Sequence, residues 1–400
     1  MKRTAAYLGI PEEKLHINVS FTMLMVNVSD GDYSFTKFQR IEGHGVNMTA
    51  ISEVSKLSWR AIENDYTLDQ YEEELEKIRK KKRNYTPWQV AIGAGFACGG
   101  FCIQFGCDWV AFLYASIAAI LGMRLRQVCN ESGLNHYMGI AISAFVATII
   151  AWASTLLPAE WTSTPWHPLL ACALFIVPGV PLINFVDDML DNYIQVGIVR
   201  AVNTLLMVAA MAFGIAFAVK LCRIENFFPT ISMVPHHQYW EYAIAAAISA
   251  MGFSMIIAVC TRNFVNLGPS TDNIGLDMGL VIGSFSGAVL VSLIAIKAVH
   301  WFHVPNHVLT IPSVIPMIPG VLMYRMLFGI ININVQSIDQ VTPLMKAIES
   351  GVNSGLVIMC IALGVAIPNI FGRRFIASSK NKRLAELLKE RKARGKFVEW

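Results

Sequence analysis

Apolar and polar positions divide this chain into three kinds of stretch. In "HINVSFTMLMVNVS" and "DYSFTKFQRIE" they alternate with the period of two that presents one face of a strand to a core. The pattern predicts two strands joined by a turn at Asp30-Gly31-Asp32. "TAISEVSKLSWRAIE" switches to the helical period, and "TLDQYEEELEKIRKKK" predicts a second helix, with Thr67 and Gln70 at capping-box spacing. From Pro87 onward long apolar runs replace both patterns. They predict nine spans, at 88–106, 109–123, 137–157, 169–186, 198–219, 241–260, 278–299, 309–329 and 352–371.

Composition supports a membrane reading. The chain has 400 residues, 54% of them hydrophobic and 15% charged, against roughly 25% charged in soluble domains. The charges crowd into 60–85 and 373–400. The fold class expected is therefore an all-α polytopic membrane protein with a small N-terminal soluble α/β domain and a basic tail. Met1–Ile10 lacks an apolar core of the signal-peptide kind, so no cleavable leader is expected. The net charge of +4 sits beside the spans, which marks topology rather than nucleic-acid binding. Arg124 and Arg126 precede the third span, whereas Pro158–His167 carries no Lys or Arg. By the positive-inside rule the N-terminal domain, the Arg124 loop and the tail are cytoplasmic and Pro158–His167 is outside. Two cytoplasmic ends require an even number of spans, and nine is odd.

An internal repeat bears on that conflict. "VPGV" (Val177–Val180) returns as "IPGV" (Ile318–Val321), and "VNTLLMVAAMAFGIA" (Val202–Ala216) returns as "VNSGLVIMCIALGVA" (Val352–Ala366). "GAGFACGGF" has a weaker counterpart in "SAMGFSMII". The first copy holds five spans, an odd number, so the second is expected upside down, as in the inverted repeats of secondary transporters. From Gly95 to Pro178 is 83 residues, but from Gly252 to Pro319 only 67. About one short span is missing, between Met255 and Arg262. The expected division is 1–86 soluble domain, 87–220 first repeat, 221–372 second repeat and 373–400 tail.

"VPGVPLINFVDDML", "GIVRAVNTLL" and "HVPNHVLTIPSVIPMIPGVLMY" resemble the threonine/serine exporter (ThrE) family. The first half resembles that family's N-terminal module, soluble domain included, and the second its smaller C-terminal module. In split relatives these are separate chains, some linked to succinate export. The resemblance implies ten spans and export of small amino acids by the proton motive force across a bacterial inner membrane. The family usually carries an amphipathic helix before "AAYLGI", where here only Met1–Thr4 stand, so a shortened N-terminus is expected as well as the lost span.

The candidate site starts from the helix breakers. Pro178, Gly179 and Pro181, and later Pro312, Pro316, Pro319 and Gly320, interrupt the i→i−4 ladder of two apolar segments. Backbone groups freed in a bilayer must face protein or water. Half-helix N-termini also attract carboxylates. Paired breaks in the two halves therefore predict a midplane substrate site; the alternative is two kinked structural helices. Asn184, Asn203 and Asn353 can bind substrate or join helices. Arg325 can hold a carboxylate or snorkel, and Lys297 is expected to snorkel. Asp187 and Asp188 are candidates for the coupling proton. The resemblance favours Asp188; the alternative is an acid paired with Arg200 or Arg124. Asp191 and Asp108 are expected at the water's edge.

Other chemistry is not signalled. Cys98 and Cys102 read as small hydrophobes. Pro305 interrupts the histidines at 300, 303 and 307, and no metal or other cofactor is expected. The chain has no phosphate-binding loop and no HExxH, and "GSFSG" has Phe where a nucleophile would stand, so no enzyme is expected. The expected partners are a small amino acid or carboxylate, protons and the lipid bilayer, with no nucleic acid; a homo-oligomer is left open. The reading is a secondary exporter of threonine or serine, with a dicarboxylate exporter or a passive channel or scaffold as alternatives.

Overall fold

The structure, a computed structural model, describes the chain apart from residues 1, 8, 30–31, 42–44, 46, 82–83, 159, 225–236, 257–278, 303–304, 332–340 and 394–400. Helix α1 (Lys2–Tyr7) leads into a three-stranded antiparallel sheet of β1 (Leu15–Val19), β2 (Met23–Ser29) and β3 (Ser34–Arg40), in that order. The first alternating run therefore holds two strands where the sequence predicted one. Its turn is Ser20-Phe21-Thr22, closed by the Ser20 N–H donating to the Met23 carbonyl at 2.8 Å. No Gly, Pro or Asn marks this turn; Ser20 is its one turn former, and Phe21 and Thr22 are good strand formers. Leu15, Ile17 and Val19 pair with Val28, Val26 and Leu24, so one face is apolar across β1 and β2. Strand β3 is exposed along its length.

Two helices follow, α2 (Met48–Glu63) and α3 (Leu68–Lys80). The predicted capping box forms at the start of α3: Thr67 Oγ1 accepts from the Gln70 N–H, and Gln70 Oε1 accepts from the Thr67 N–H. The same device opens α4 (Pro87–Gln104), from Thr86 and Gln89 with Pro87 in the first position.

The apolar region continues through α5 (Trp109–Glu131), α6 (His136–Trp152), the bent pair α7 (His167–Ala171) and α8 (Gly179–Leu190), α9 (Ile194–Leu221) and α10 (Tyr239–Ile256). After these come α11 (Gly279–Phe302), a second broken pair α12 (Asn306–Val314) and α13 (Gly320–Ile331), and α14 (Val341–Ala393). Among the described residues five helices are long and apolar enough to cross a membrane: α5, α6 with its 3-10 extension to Leu156, α9, Gly279–Ala298 of α11 and Leu344–Gly372 of α14. The α7–α8 pair, bent by 56°, makes a sixth. Leu113, Ile117, Leu121, Leu205, Leu206, Phe213 and Phe217 stand exposed on these helices, as lipid-facing side chains do. The chain is a multi-pass helical membrane protein. The place of the missing span, between Met255 and Arg262, runs into residues 257–278, which are outside the described ones.

Helices α4 and α10 are richer in Gly and Ala than their neighbours and pack against each other. Small residues let their backbones meet. A Cβ on Gly252 would lie 2.6 Å from the Ala97 nitrogen, and one on Gly100 2.6 Å from the Ala245 carbonyl oxygen. These pairings run in opposite directions along the two helices, so the helices are antiparallel. Elsewhere the packing recurs. Helix α9 lies on α6 and α8, as α14 lies on α11 and α13. Gly214 faces the Ala141 carbonyl and Ala144 Cβ, while Gly364 faces the Phe285 carbonyl and Ala288 Cβ. Gly214 and Gly364 occupy matching places in the repeated strings. The pairs also exchange: α13 touches α9, and α8 touches α14.

Candidate functional site

Both breaks have the same local structure. Each begins with a 3-10 turn, Leu174–Ile176 in the first and Ile315–Met317 in the second. A tight turn follows, in which the Gly179 N–H reaches the Val177 carbonyl at 2.8 Å and the Gly320 N–H reaches the Ile318 carbonyl at 2.8 Å. Pro178 and Pro319 stand in these turns, and their carbonyls accept from the Leu182 and Met323 N–H groups at 3.0 and 3.1 Å. Pro181 falls in the first turn of α8, where a missing N–H leaves no ladder bond unmade. Pro316 stands in the first turn of the second 3-10 segment, and Pro312 lies inside α12.

The two breaks meet. A Cβ on Gly179 would lie 2.9 Å from Ile318 Cδ1 and 3.1 Å from Ile315 Cγ1. A Cβ on Gly320 would lie 2.8 Å from Leu174 Cδ2 and 2.9 Å from Val177 Cγ2. Leu174 and Val177 stand where Ile315 and Ile318 stand in the other copy, so the contact is reciprocal. The crossing is filled by these side chains. Polar groups lie beyond it on each half-helix: Asn184 and Arg325 each stand five residues past the glycine, and both are half-buried.

The acids lie at the end of α8. Asp188 Oδ2 is 2.9 Å from Arg200 Nε, each side chain about one quarter exposed. The pairing with Arg200, one of the two partners foreseen, is the one the structure forms. Arg124 instead donates to Gln127 at 2.9 Å and lies over the Trp88 ring. Local geometry explains the partnership. Asp191 ends α8, Asn192 adopts φ 67°, and Gly197 sits against the Phe185 carbonyl, so α8 and α9 form a close hairpin. Arg side chains lean toward the N-terminus of their own helix, which brings Arg200 back toward Asp188. Asp187 is half-buried and Asp191 exposed.

The asparagines diverge. Asn203 Oδ1 accepts from the Tyr137 hydroxyl at 2.6 Å and ties α9 to α6. Asn353, its counterpart, is half-buried on α14, where the place matching Tyr137 is apolar.

Asp108 is half-buried, which corrects the expectation of an exposed turn residue. It caps α5 by accepting from the Ala111 N–H, and its other oxygen accepts from Thr162 Oγ1 and the Ser163 N–H, all at 2.8 Å. Burial pushes its carboxyl up, but these hydrogen bonds outweigh it and hold the group below the ordinary carboxylate range. Next to it, His237 meets the Cys107 carbonyl at 2.6 Å and Glu241 at 3.3 Å, which docks the start of α10 on the α4–α5 turn. Nothing local in sequence signals either contact, because the partners lie 54 and 130 residues apart. Among the described residues no three of His, Cys, Asp and Glu assemble as a metal site.

Two broken helices that pack on each other within a bundle of apolar helices define a multi-pass membrane protein. Two family models match it: "Putative threonine/serine exporter" over residues 1–222 and "Threonine/Serine exporter, ThrE" over 242–371. The chain belongs to the threonine/serine exporter family. It is 27% identical over 203 residues, half of its own length, to 77% of a Klebsiella aerogenes protein named "Probable succinate transporter subunit YjjP". It is 27% identical over 219 residues to 84% of the Escherichia coli protein of that name, with 55% of this chain covered. It is 21% identical over 301 residues to the "Threonine/serine exporter" of Corynebacterium glutamicum, covering 72% of this chain and 61% of that protein. No solved structure matches.

Proposed function

We propose that this chain is a proton-coupled secondary exporter of small amino acids, threonine or serine, in a bacterial inner membrane. The observation that carries the reading is the reciprocal crossing of Gly179 with Ile315 and Ile318, and of Gly320 with Leu174 and Val177. Matching residues exchanging matching contacts support an inverted repeat, with the nine predicted spans divided between two halves. The antiparallel α4–α10 pair supports the same symmetry. On this reading 1–86 and 373–400 are the cytoplasmic ends of a chain split near 220, which takes an even number of spans and so one more than the nine predicted. Transport is a rocking of one half on the other about the crossing.

The residues then take roles. Arg325 holds the substrate carboxylate and Asn184, its counterpart, bonds the polar remainder of the solute; Asn353 lies on the adjoining helix. Asn203 keeps α6 and α9 in register. Asp188 carries the coupling proton, with Asp187 beside it. When Asp188 is ionised it pairs with Arg200; when it takes a proton the attraction is lost and the α8–α9 hairpin is released to move.

A dicarboxylate exporter is the second reading, favoured by the succinate names of two relatives. A dicarboxylate calls for two cations, Arg325 and Arg200. Arg200 is committed to Asp188, which favours a solute with a single carboxylate. Counterflow into proteoliposomes with labelled threonine, serine and succinate, with and without a pH gradient, tests both. Uptake of threonine or serine that rises with the gradient is the expected result. Uptake of succinate alone selects the second reading, and uptake of none of the three refutes both in favour of a channel or scaffold.

A further inference from the structure

The tip of the β1–β2 hairpin reaches the ion pair at the end of α8. Arg200 Cζ lies 6.0 Å from the centroid of the Phe21 ring, while its Nε holds Asp188 at 2.9 Å. The tip is fixed from both sides: the Ser20 N–H donates to Met23, and the Ile41 N–H donates to Thr22, each at 2.8 Å. Behind the tip the sheet stands away from the bundle. Leu15, His16, Ile17, Asn18, Val19 and Met25 face Tyr193 of the α8–α9 turn across a cavity of about 670 Å³. Phe21 therefore bridges a gap that β1 leaves open.

We infer that Phe21 is a positioning residue, which holds the Arg200 guanidinium on Asp188 and closes the mouth of the α8–α9 hairpin beneath the soluble domain. A guanidinium bound on one edge by a carboxylate and on its face by a ring loses most of its rotamers. Such a face contact is worth about two- to fivefold in an equilibrium at a partly exposed site. The soluble domain thus acts on the Asp188–Arg200 pair through Phe21, and withdrawal of that ring into the space beside β1 frees Arg200 to leave Asp188. The inference rests on the proposal that the solute path runs past Asn184 toward this mouth.

The test uses the full chain in membrane vesicles with Asn184→Cys as reporter, labelled by a membrane-impermeant maleimide applied on the side of the soluble domain. The same chain without the reporter gives the background from native thiols. Phe21→Ala and Phe21→Leu are expected to speed labelling about two- to fivefold, and Phe21→Trp to leave it at the parental rate. Leu keeps the apolar bulk and Trp keeps the π face, so the contrast separates a ring held over a cation from simple packing. Equal rates in all four chains, or Leu behaving as Phe, would overturn the inference. Elution as a single species in detergent identifies variants that fold, and Phe21→Tyr serves in place of Trp if that chain does not. Labelling needs no turnover: a chain that carries none of the three solutes sinks the exporter reading while the labelling rates still decide the role of Phe21.

Discussion

Gly252→Ala probes a close backbone approach between α10 and α4. The new Cβ would lie 2.6 Å from the Ala97 nitrogen and 3.0 Å from its Cα, with the Gly93 carbonyl oxygen also in its path. These are backbone atoms and cannot rotate aside. Ordinary contact needs about 3.5 Å, so α10 must retreat from α4 by about 1 Å, which forfeits roughly a quarter to a half of each dispersion contact along the seam. The Ser249 bond to the Ala97 carbonyl and the Gln104 bond to Ser249, both 3.2 Å, would lengthen beyond hydrogen-bonding range. Overpacking costs about 1–3 kcal/mol, and each lost interhelical bond about 0.6 kcal/mol. Alanine returns at most about 1 kcal/mol of helix propensity. The net expectation is a loss of about 2 kcal/mol. Gly355→Ala is the control, since its Cβ would meet nothing within 4 Å, and it should be neutral or stabilising by up to about 1 kcal/mol. Thermal unfolding of the purified chain in detergent reads both. If the two variants shift the midpoint equally, the backbone contact between α4 and α10 is not as described.

Three further outcomes test the site and its support. Asp188→Asn should retain threonine counterflow but lose its stimulation by a pH gradient; full gradient-driven transport would remove Asp188 as proton carrier. Arg325→Gln should raise the KM for a carboxylate solute by about 10- to 100-fold, the value of a charged hydrogen bond, with a smaller effect on the maximal rate, and an unchanged KM would move the carboxylate elsewhere. Asp108→Ala should destabilise the chain by about 0.5–2 kcal/mol through loss of the α5 cap. Because the Asp108 carboxyl is held low in the folded chain, its contribution is full above its unfolded value near 3.9 and fades as pH falls through the lower folded value. Acid unfolding followed by tryptophan fluorescence should therefore be less steep below about pH 4 in the variant than in the parent.

The sequence by itself determined the class of protein and the location of its unusual backbone. Apolar runs with almost no charge admit only helices in a bilayer, and "VPGV" and "IPGV" announce breaks wherever the chain folds, because Pro lacks a donor and Gly tolerates the turn. Thr67 with Gln70 fixed a helix start for an equally local reason. Even so, one local signal was weak: Ser20 is the one turn former in Ser20-Phe21-Thr22, and only the pairing of Leu15–Val19 with Met23–Ser29 reveals the turn. Tertiary structure alone decided the rest. It chose Arg200 for Asp188 over Arg124, because the tight α8–α9 hairpin brings the first within reach. It placed Tyr137 on Asn203 and Thr162 on Asp108, and it set Gly179 and Gly320 against each other's helices. These are contacts between segments tens of residues apart, and a sequence shows which groups are able to meet while only the packing of small residues at helix crossings determines which of them do.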